Sequence, residues 1–412
     1  MYKAVILADD LTGALDTGVQ LAQKGIPVEV LSRAARSFPE AAAPVLAVNL
    51  DTRHASAREA YERTKEAARL AKASRAFMLY IKTDSGLRGN VGAALSAAVE
   101  GWGESLAFVP AYPENGRTVR DGLLYVCGVP VSKSILGHDL HNPVVHDSVQ
   151  DILREQCSLP VLAAARGNGN KSSRAIHLYE AACEADMAAA ARAVREGGFT
   201  LAAGCAGFSK YLPELLSLPV CETPLPQMPA PLMVLSGSTS EVALKQLRRA
   251  QACGFSAVPF PDLLSQAPDF SALNTRIIEA LARGGALLAA AVNESGVQEV
   301  SGQAREMGLS TLETGDRIAG NLGRAAARLL DSGFSGTLLV FGGDTLKACL
   351  REAGDTQIRP LREIAGGVVV CEIITGKYRG SIITKSGSFG SDELVMDIKA
   401  MLSKAQPKNE RG

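Results

Sequence analysis

The 412-residue chain has no charge excess: 43 lysines and arginines balance 43 aspartates and glutamates. It carries no long basic or acidic run. That argues against nucleic acid as the main partner, which would call for a basic face. No apolar stretch reaches the roughly 18 residues of a membrane span. None of the eight cysteines, at 127, 157, 183, 205, 221, 253, 349 and 371, forms a Cys-x-x-Cys pair, so no zinc site or thioredoxin-like motif is indicated. A disulfide framework does not suit so long a chain. Most of these cysteines sit in apolar segments and are expected to be reduced core thiols. There is no internal repeat and no low-complexity tract.

Two nucleotide signatures are also missing. Thr375-Gly376-Lys377-Tyr378 looks like the end of a Walker A loop, but position 371 is Cys and no Ser or Thr follows the Lys. Gly167-Asn168-Gly169-Asn170 imitates a dinucleotide loop but has Ser172 where the third Gly belongs, so it reads as a surface turn. Without a G-x-G-x-x-G after a strand, a nicotinamide-dependent dehydrogenase loses its main support. The N-terminus opens straight into the apolar run Ala4 to Ala8, followed by Asp9 and Asp10. A signal peptide would place a cationic segment and a longer apolar one there. A cytoplasmic protein is expected.

What is present is an alternation. Apolar content is 47%, ample for a core. Short apolar runs alternate with amphipathic stretches, the rhythm of a parallel sheet covered by helices. Strands are expected at 4–8, 28–31, 45–49, 77–81 and 106–109, with helices at 13–24, 57–73 and 91–99. Residues 110–150 break the rhythm and read as irregular; such segments are often functional. Between Leu218 and Pro231 lie five prolines, a semi-rigid linker. The expected organisation is a domain over 1–218, a linker over 219–231 and a domain over 232–412. In the second half, strands are expected at 232–235, 286–292, 337–341 and 382–384, with helices at 240–252, 317–330 and 392–403 and another starting near Leu346. The tail from Pro407 reads as frayed. The fold class is α/β: two domains, each a mainly parallel sheet flanked by helices, with the active site in the cleft between them.

The densest chemistry is Lys82-Thr83-Asp84-Ser85-Gly86-Leu87-Arg88-Gly89-Asn90, between an expected strand and an expected helix. In open α/β sheets ligands bind just beyond the carboxyl ends of the strands. A Lys, an Asp, a Ser and an Arg there outline a site for a small polar substrate. Asp9-Asp10 and Asp51-Thr52-Arg53 end two other strands on the same edge. Each alone is ambiguous, since an Asp before a helix is usually an N-cap.

In the second half three turns rich in glycine and hydroxyls follow strands: Ser236 to Ser240, Gly342-Gly343-Asp344-Thr345, and Lys385 to Gly390. Such turns free backbone N–H groups for phosphate, and a following helix N-terminus favours anions. Together they suggest a nucleotide site. His138, Asp139, His141, His146 and Asp147 form the one histidine cluster; spaced along a Pro-containing loop, they read as hydrogen-bonding residues rather than a metal site.

With these motifs together, the chain resembles the four-carbon acid sugar kinase family over nearly its whole length. The resemblance rests on ADDLTGALDTG (8–18), DTRH (51–54), KTDSGLRGN (82–90), PAYPENGRT (110–118), SGSTS (236–240), GGDT (342–345) and KSGSFG (385–390). It implies ATP-dependent phosphorylation of a threonate, erythronate or oxo-tetronate at the terminal hydroxyl, with Mg²⁺ accompanying ATP and its protein ligands unassigned. It implies that the first domain binds the acid and the second binds ATP. Candidate catalytic residues are Asp9, Asp10, Lys82 and Asp84, the three aspartates being unranked as base. Candidate acid-binding residues are Arg53, Lys82, Asp84, Ser85, Arg88, Asn90 and Arg117; Arg53 and Arg88 suit a carboxylate through bidentate pairing. Candidate nucleotide-binding residues are Ser236, Ser238, Gly342, Gly343, Asp344, Thr345 and Gly387. Gly86 departs from the family's usual Thr, which implies a larger or looser acid pocket. A non-catalytic two-domain sugar-acid-binding protein is the alternative; it would not need the phosphate turns. The expected partners are small molecules, with neither nucleic acid nor membrane among them, and a homo-oligomer is left open.

Overall fold

A computed structural model of the chain describes residues 1–139, 142–164, 174–354, 357–375, 380–387 and 389–405. The Gly167–Asn170 run, Gly376 to Tyr378 of the Walker-like run, His141, Ser388 and the tail from Pro407 lie outside the described residues. The chain divides into two compact units, Met1–Thr223 and Pro224–Gly412.

The strands of the first unit are β1 (Ala4–Ala8), β2 (Val28–Leu31), β3 (Val45–Asn49), β4 (Met78–Lys82), β5 (Leu106–Val109), β6 (Arg117–Arg120), β7 (Leu123–Val126), β8 (Val129–Pro130), β9 (Val161–Ala163), β10 (Ile176–Leu178) and β11 (Leu201–Gly204). Its helices are α1 (Leu11–Ala22), α2 (Ala57–Ala73), α3 (Val91–Trp102), α4 (Val149–Arg154), α5 (Glu184–Glu196), α6 (Ala206–Ser209) and α7 (Leu212–Leu215). The main sheet runs β2-β3-β1-β4-β11-β5-β10-β9, and every pairing is parallel. β1, β3 and β4 are buried at every position. Parallel strands covered on both faces need such continuous apolar runs.

From β1 the chain moves out to β2 and β3; from β4 it moves the other way, toward β5. The winding direction therefore reverses between β1 and β4. A crevice opens at such a switch point. In register, Ala8 stands opposite both Asn49 and Lys82, and Lys82 opposite Gly204. The three charged strand ends thus lie side by side at the switch.

Residues 110–150 differ from expectation. They hold a small antiparallel sheet, β6-β7-β8, and short 3-10 turns at Pro113–Asn115, Val131–Lys133 and Ile135–His138. Their strands are only partly buried, so they lack the apolar runs that mark the main sheet.

The second unit holds β12 (Leu232–Ser236), β13 (Ser256–Ala257), β14 (Ala286–Ala289), β15 (Thr337–Phe341), β16 (Gln357–Ala365), β17 (Val368–Ile373) and β18 (Gly380–Lys385). Its helices are α8 (Glu241–Ala252), α9 (Ser271–Ala282), α10 (Glu294–Glu306), α11 (Thr311–Asp331), α12 (Gly343–Glu352) and α13 (Leu394–Ala405). The order β13-β14-β12-β15-β18-β17-β16 is parallel as far as β18, and β17 and β16 then add antiparallel. The core joins Val234, Leu339, Phe341 and Ile383 of the sheet to Leu247 of α8 and Ile398 of α13. Here the winding reverses between β12 and β15, a second switch point.

All eight cysteines are free thiols, but only Cys157, Cys205, Cys349 and Cys371 are buried. The expectation that most are core thiols is therefore too generous. Burial pushes the Cys205 thiol up to about 11 and the Cys349 thiol up to about 12, so neither is a ready nucleophile. No described helix is long and apolar enough to cross a membrane.

Candidate functional site

The switch point of the first unit gathers most of the residues predicted in that unit. Thr52 and Arg53 donate backbone N–H groups to the Asp9 carbonyl, at 2.9 and 3.3 Å, which brings the Arg53 side chain over the end of β1. Arg53 grips Asp9 in bidentate fashion, Nε to Oδ2 at 2.7 Å and Nη2 to Oδ1 at 2.9 Å. Its Nη1 bonds Asp10 Oδ2, and Asp84 Oδ1 lies 3.7 Å from Nη2. Arg88 takes Asp84 the same way, at 3.0 and 2.9 Å, while its Nη1 reaches Asp139 Oδ2 at 2.9 Å. Gly89, at φ +81, lets the 82–90 loop lie on the Arg53 backbone: a Cβ there would stand 3.1 Å from the Arg53 carbonyl.

This geometry separates the three aspartates. Asp84 accepts from the Gly86 and Arg88 amides as well as from the Arg88 guanidinium. Burial would raise its carboxyl, but Arg53 and Arg88 overcome that and hold it well below the usual carboxylate range. It is a poor base. Asp10 caps α1, Oδ1 accepting from Gly13 N at 2.6 Å, and also joins the ion cluster. Asp9 goes the other way. Burial raises its proton affinity, Asp10 adds to that, and Arg53 and Lys82 oppose it without cancelling it.

Lys82 is 5% exposed. Among the described residues, no ion pair or hydrogen bond engages its Nζ, which lies against Gly13, 3.1 Å from where a Cβ would stand. Burial alone would lower its pKa; Asp16, then Asp9 and Asp10, outweigh that and keep the ammonium charged. Every strong guanidinium bond in the cluster already ends on a carboxylate, so among the described residues of the cluster Lys82 is the cation with its donors still open.

Other predicted residues have structural duties. Asn90 donates to the carbonyls of Thr52 and Ala55, both at 2.8 Å, and accepts from Gln156, which ties the β3 and β4 loops together. Arg117 bonds the Asn115 carbonyl in the small sheet; among the described residues nothing joins it to the cluster. Ser85 is half-buried beside Asp84. The histidine cluster disperses. His138 Nδ1 is 3.1 Å from the Ser134 carbonyl, His146 Nε2 is 3.1 Å from Glu155, and Asp147 accepts from Ser132 N. Among the described residues no group of three His, Cys, Asp or Glu could hold a metal ion.

Gly86 corrects the expectation of an enlarged pocket. The Leu136 Cδ1 methyl lies 2.1 Å from where a Gly86 Cβ would stand, and Leu136 is 8% exposed. The space freed by the missing side chain is already filled. Leu136 is held there by a 3-10 turn whose neighbour Asp139 pairs with Arg88 and whose Asn142 contacts His54 at 3.0 Å. Because Gly86 is not in the left-handed region, Gly86→Thr meets a steric cost only. It should destabilise the protein by about 1–3 kcal/mol, the usual cost of overpacking. Adding Leu136→Ala should recover most of that in thermal melts. A double variant no more stable than Gly86→Thr alone would show that the two side chains do not compete.

In the second unit the strand ends again line up: Ser236 stands opposite Phe341, and Phe341 opposite Lys385. The turns after β12 and β15 touch, since a Cβ on Gly237 would lie 2.6 Å from Thr345 Oγ1. α12 starts at Gly343, earlier than the sequence indicates, so Gly343, Asp344 and Thr345 form its first turn. Its N-cap Gly342 offers no side-chain bond to the first amides. A helix start left uncapped suits an anion. Ser238 bonds Ser240, the N-cap of α8, and Gly387 is exposed beside this row.

Sequence reasoning gives no site role to Asp16, Leu136 and Lys385; it reads Asp139 as a hydrogen-bonding loop residue, and that bond goes to Arg88. Asp16 lies within the quoted ADDLTGALDTG motif, the one signal available for it.

Two family models match the chain. Residues 4–212 match the family model of a sugar-binding N-terminal domain, and residues 233–395 that of a nucleotide-binding C-terminal domain. The chain is 28% identical to a D-threonate kinase of Salmonella typhimurium, over 96% of this chain and 97% of that protein. It is 27% identical to a D-erythronate kinase of Heliobacterium modesticaldum, over 98% of each. It is 28% identical to a 3-oxo-tetronate kinase of Methylobacterium radiotolerans, over 93% of this chain and 95% of that protein. A solved Haemophilus influenzae structure superposes with a TM-score of 0.77 at 20% identity, covering 97% of this chain and all of that one, a likeness of fold.

Proposed function

This chain belongs to the four-carbon acid sugar kinase family and is a sugar-acid kinase, and from that premise we propose that it moves the terminal phosphoryl group of ATP to the 4-hydroxyl of a threonate, erythronate or oxo-tetronate. The observation that carries the reading is the buried, unbonded ammonium of Lys82 at the switch point of the first unit. A hydroxyl that must meet ATP has to face outward, so the carboxylate at the other end of the acid goes in first. Lys82 is the cation that meets it. Arg88 can assist by exchanging Asp139 for the substrate.

Phosphoryl transfer asks the protein for positioning, charge neutralisation and a base for the attacking hydroxyl. Of Asp9 and Asp84, Asp9 is the better base by proton affinity, since Asp84 is held ionised and saturated with donors. The turns after β12, β15 and β18 hold the ATP phosphates through Ser236, Ser238, Gly342, Gly343, Thr345 and Gly387. The aspartates of the first unit are committed to arginines, so they do not form a ready metal site. Mg²⁺ is usually held by substrate phosphates and one or two carboxylates, and the exposed Asp344 is the carboxylate at the phosphate turn. Such an enzyme would work in the cytoplasm, where ATP is available. A purely sugar-acid-binding protein would have no use for the second unit's turns.

The test is ADP release from Mg-ATP, measured against a panel of four-carbon acids. At least one acid should give turnover well above the matching neutral polyol. Turnover with none of them, or equal turnover with the polyol, would refute the substrate class.

A further inference from the structure

Lys385 ends β18 and is 1% exposed. Nothing in the first-unit chemistry uses it. Its Nζ donates to the Gly387 carbonyl and lies 4.5 Å from the centre of the Phe341 ring. An ammonium has three donors, and one of them is spent. Among the described residues no carboxylate offsets its charge; burial alone acts on it and pushes its pKa down to about 8. An enclosed cation without a counter-ion is costly, and natural proteins seldom keep one without a partner.

Its place in the sheet indicates what the partner is. Lys385 stands beside Phe341 in register, and its carbonyl accepts from Gly342 N at 3.0 Å. Gly342, at φ +93, is the N-cap of the ten-residue helix α12 and gives it no side-chain cap. The buried ammonium and the uncapped helix start are therefore neighbours at one strand-end row; the acidic residue of that first turn, Asp344, is exposed and does not offset the ammonium. We propose that Lys385 grips a phosphate oxygen of the bound nucleotide together with the N-terminus of α12. This rests on the nucleotide reading above and gives the missing counter-charge a source. The competing reading is a structural one, in which Lys385 merely covers the Phe341 ring. Its stem would do that as well with a methionine end.

The experiment compares wild type with Lys385→Met by calorimetry, using a non-hydrolysable ATP analogue and adenosine as probes. Without ligand, the variant should melt at or above the wild-type temperature, because a desolvated charge has gone. Its Kd for the analogue should rise at least about tenfold, as loss of a charge-assisted bond requires, with adenosine affinity unchanged. Equal affinity of variant and wild type for the analogue overturns the proposal and leaves the kinase reading intact. Wild type that binds no nucleotide overturns both. A crystal structure of wild type with the analogue decides even if the variant does not fold. Nζ at hydrogen-bond distance from a phosphate oxygen supports the assignment. Nζ still on the Gly387 carbonyl, with every phosphate oxygen out of reach, refutes it.

Discussion

Arg53→Ala should unfold the first unit at a much lower temperature than wild type. Arg53 is the shared cation of Asp9 and Asp10 and lies 3.7 Å from Asp84, with its own side chain 16% exposed. Removing one partner of a buried pair leaves an uncompensated charge and typically costs about 3–5 kcal/mol. For a unit of this size that corresponds to a drop of roughly 6–20 °C in Tm. The pH dependence provides an internal control. Without Arg53 the folded-state pKa of Asp9 rises further above its unfolded value. A carboxyl raised in the folded state favours folding below that pKa, so the deficit relative to wild type should shrink as the pH falls toward 4. Asp9→Asn added to Arg53→Ala should recover part of the loss at neutral pH. A Tm within about 2 °C of wild type would mean that the cluster is solvated, like a surface pair worth little.

Lys82→Met is expected to strike recognition of the acid. If the ammonium meets the substrate carboxylate, its loss removes a charge-assisted contact of about 1.5–3 kcal/mol, a roughly ten- to hundred-fold rise in KM for the acid. KM for ATP should stay near wild type, and weak turnover of the neutral polyol should barely change. Lys82 also lowers the Asp9 pKa. In the variant Asp9 should therefore hold its proton to higher pH, and the acid limb of kcat should move upward. A fall in kcat with KM for the acid unchanged would move Lys82 from the carboxylate to the transferring phosphoryl group.

Much of this architecture is visible in sequence for a physical reason. Strands such as Val45–Asn49 and Thr337–Phe341 are buried on both faces, so they appear as uninterrupted apolar runs ending in a turn. The losses also have causes. Leu201–Gly204 is a short, Ala-rich strand that no periodicity marks, though it sits beside β4 in the sheet. The hairpin of β16 and β17 carries arginines and glutamates on half-exposed positions and a proline, Pro360, inside a strand, so it resembles a loop. At the sites, residue type marked Arg53 and Arg88 as carboxylate partners, but the carboxylates they meet in the structure are the chain's own Asp9, Asp10, Asp84 and Asp139. It failed for Lys385, since a lysine opening a Gly/Ser turn looks solvated until β15 and β18 are laid side by side. Asp16 acts on Lys82 across 66 positions of sequence, a relation that only the β1–β4 pairing creates.

The contact between Gly86 and Leu136 couples evolutionary change at the two positions. A lineage of this enzyme that gains a larger residue at position 86 first passes through a clash with a methyl 2.1 Å away. One that first shortens Leu136 opens a void instead, at a cost that depends on how far the turn relaxes, and then fills it from position 86. The two positions are thus epistatic, and either first step costs stability that the second restores. Ancestral sequences along such a lineage should show the changes at 86 and 136 arising close together.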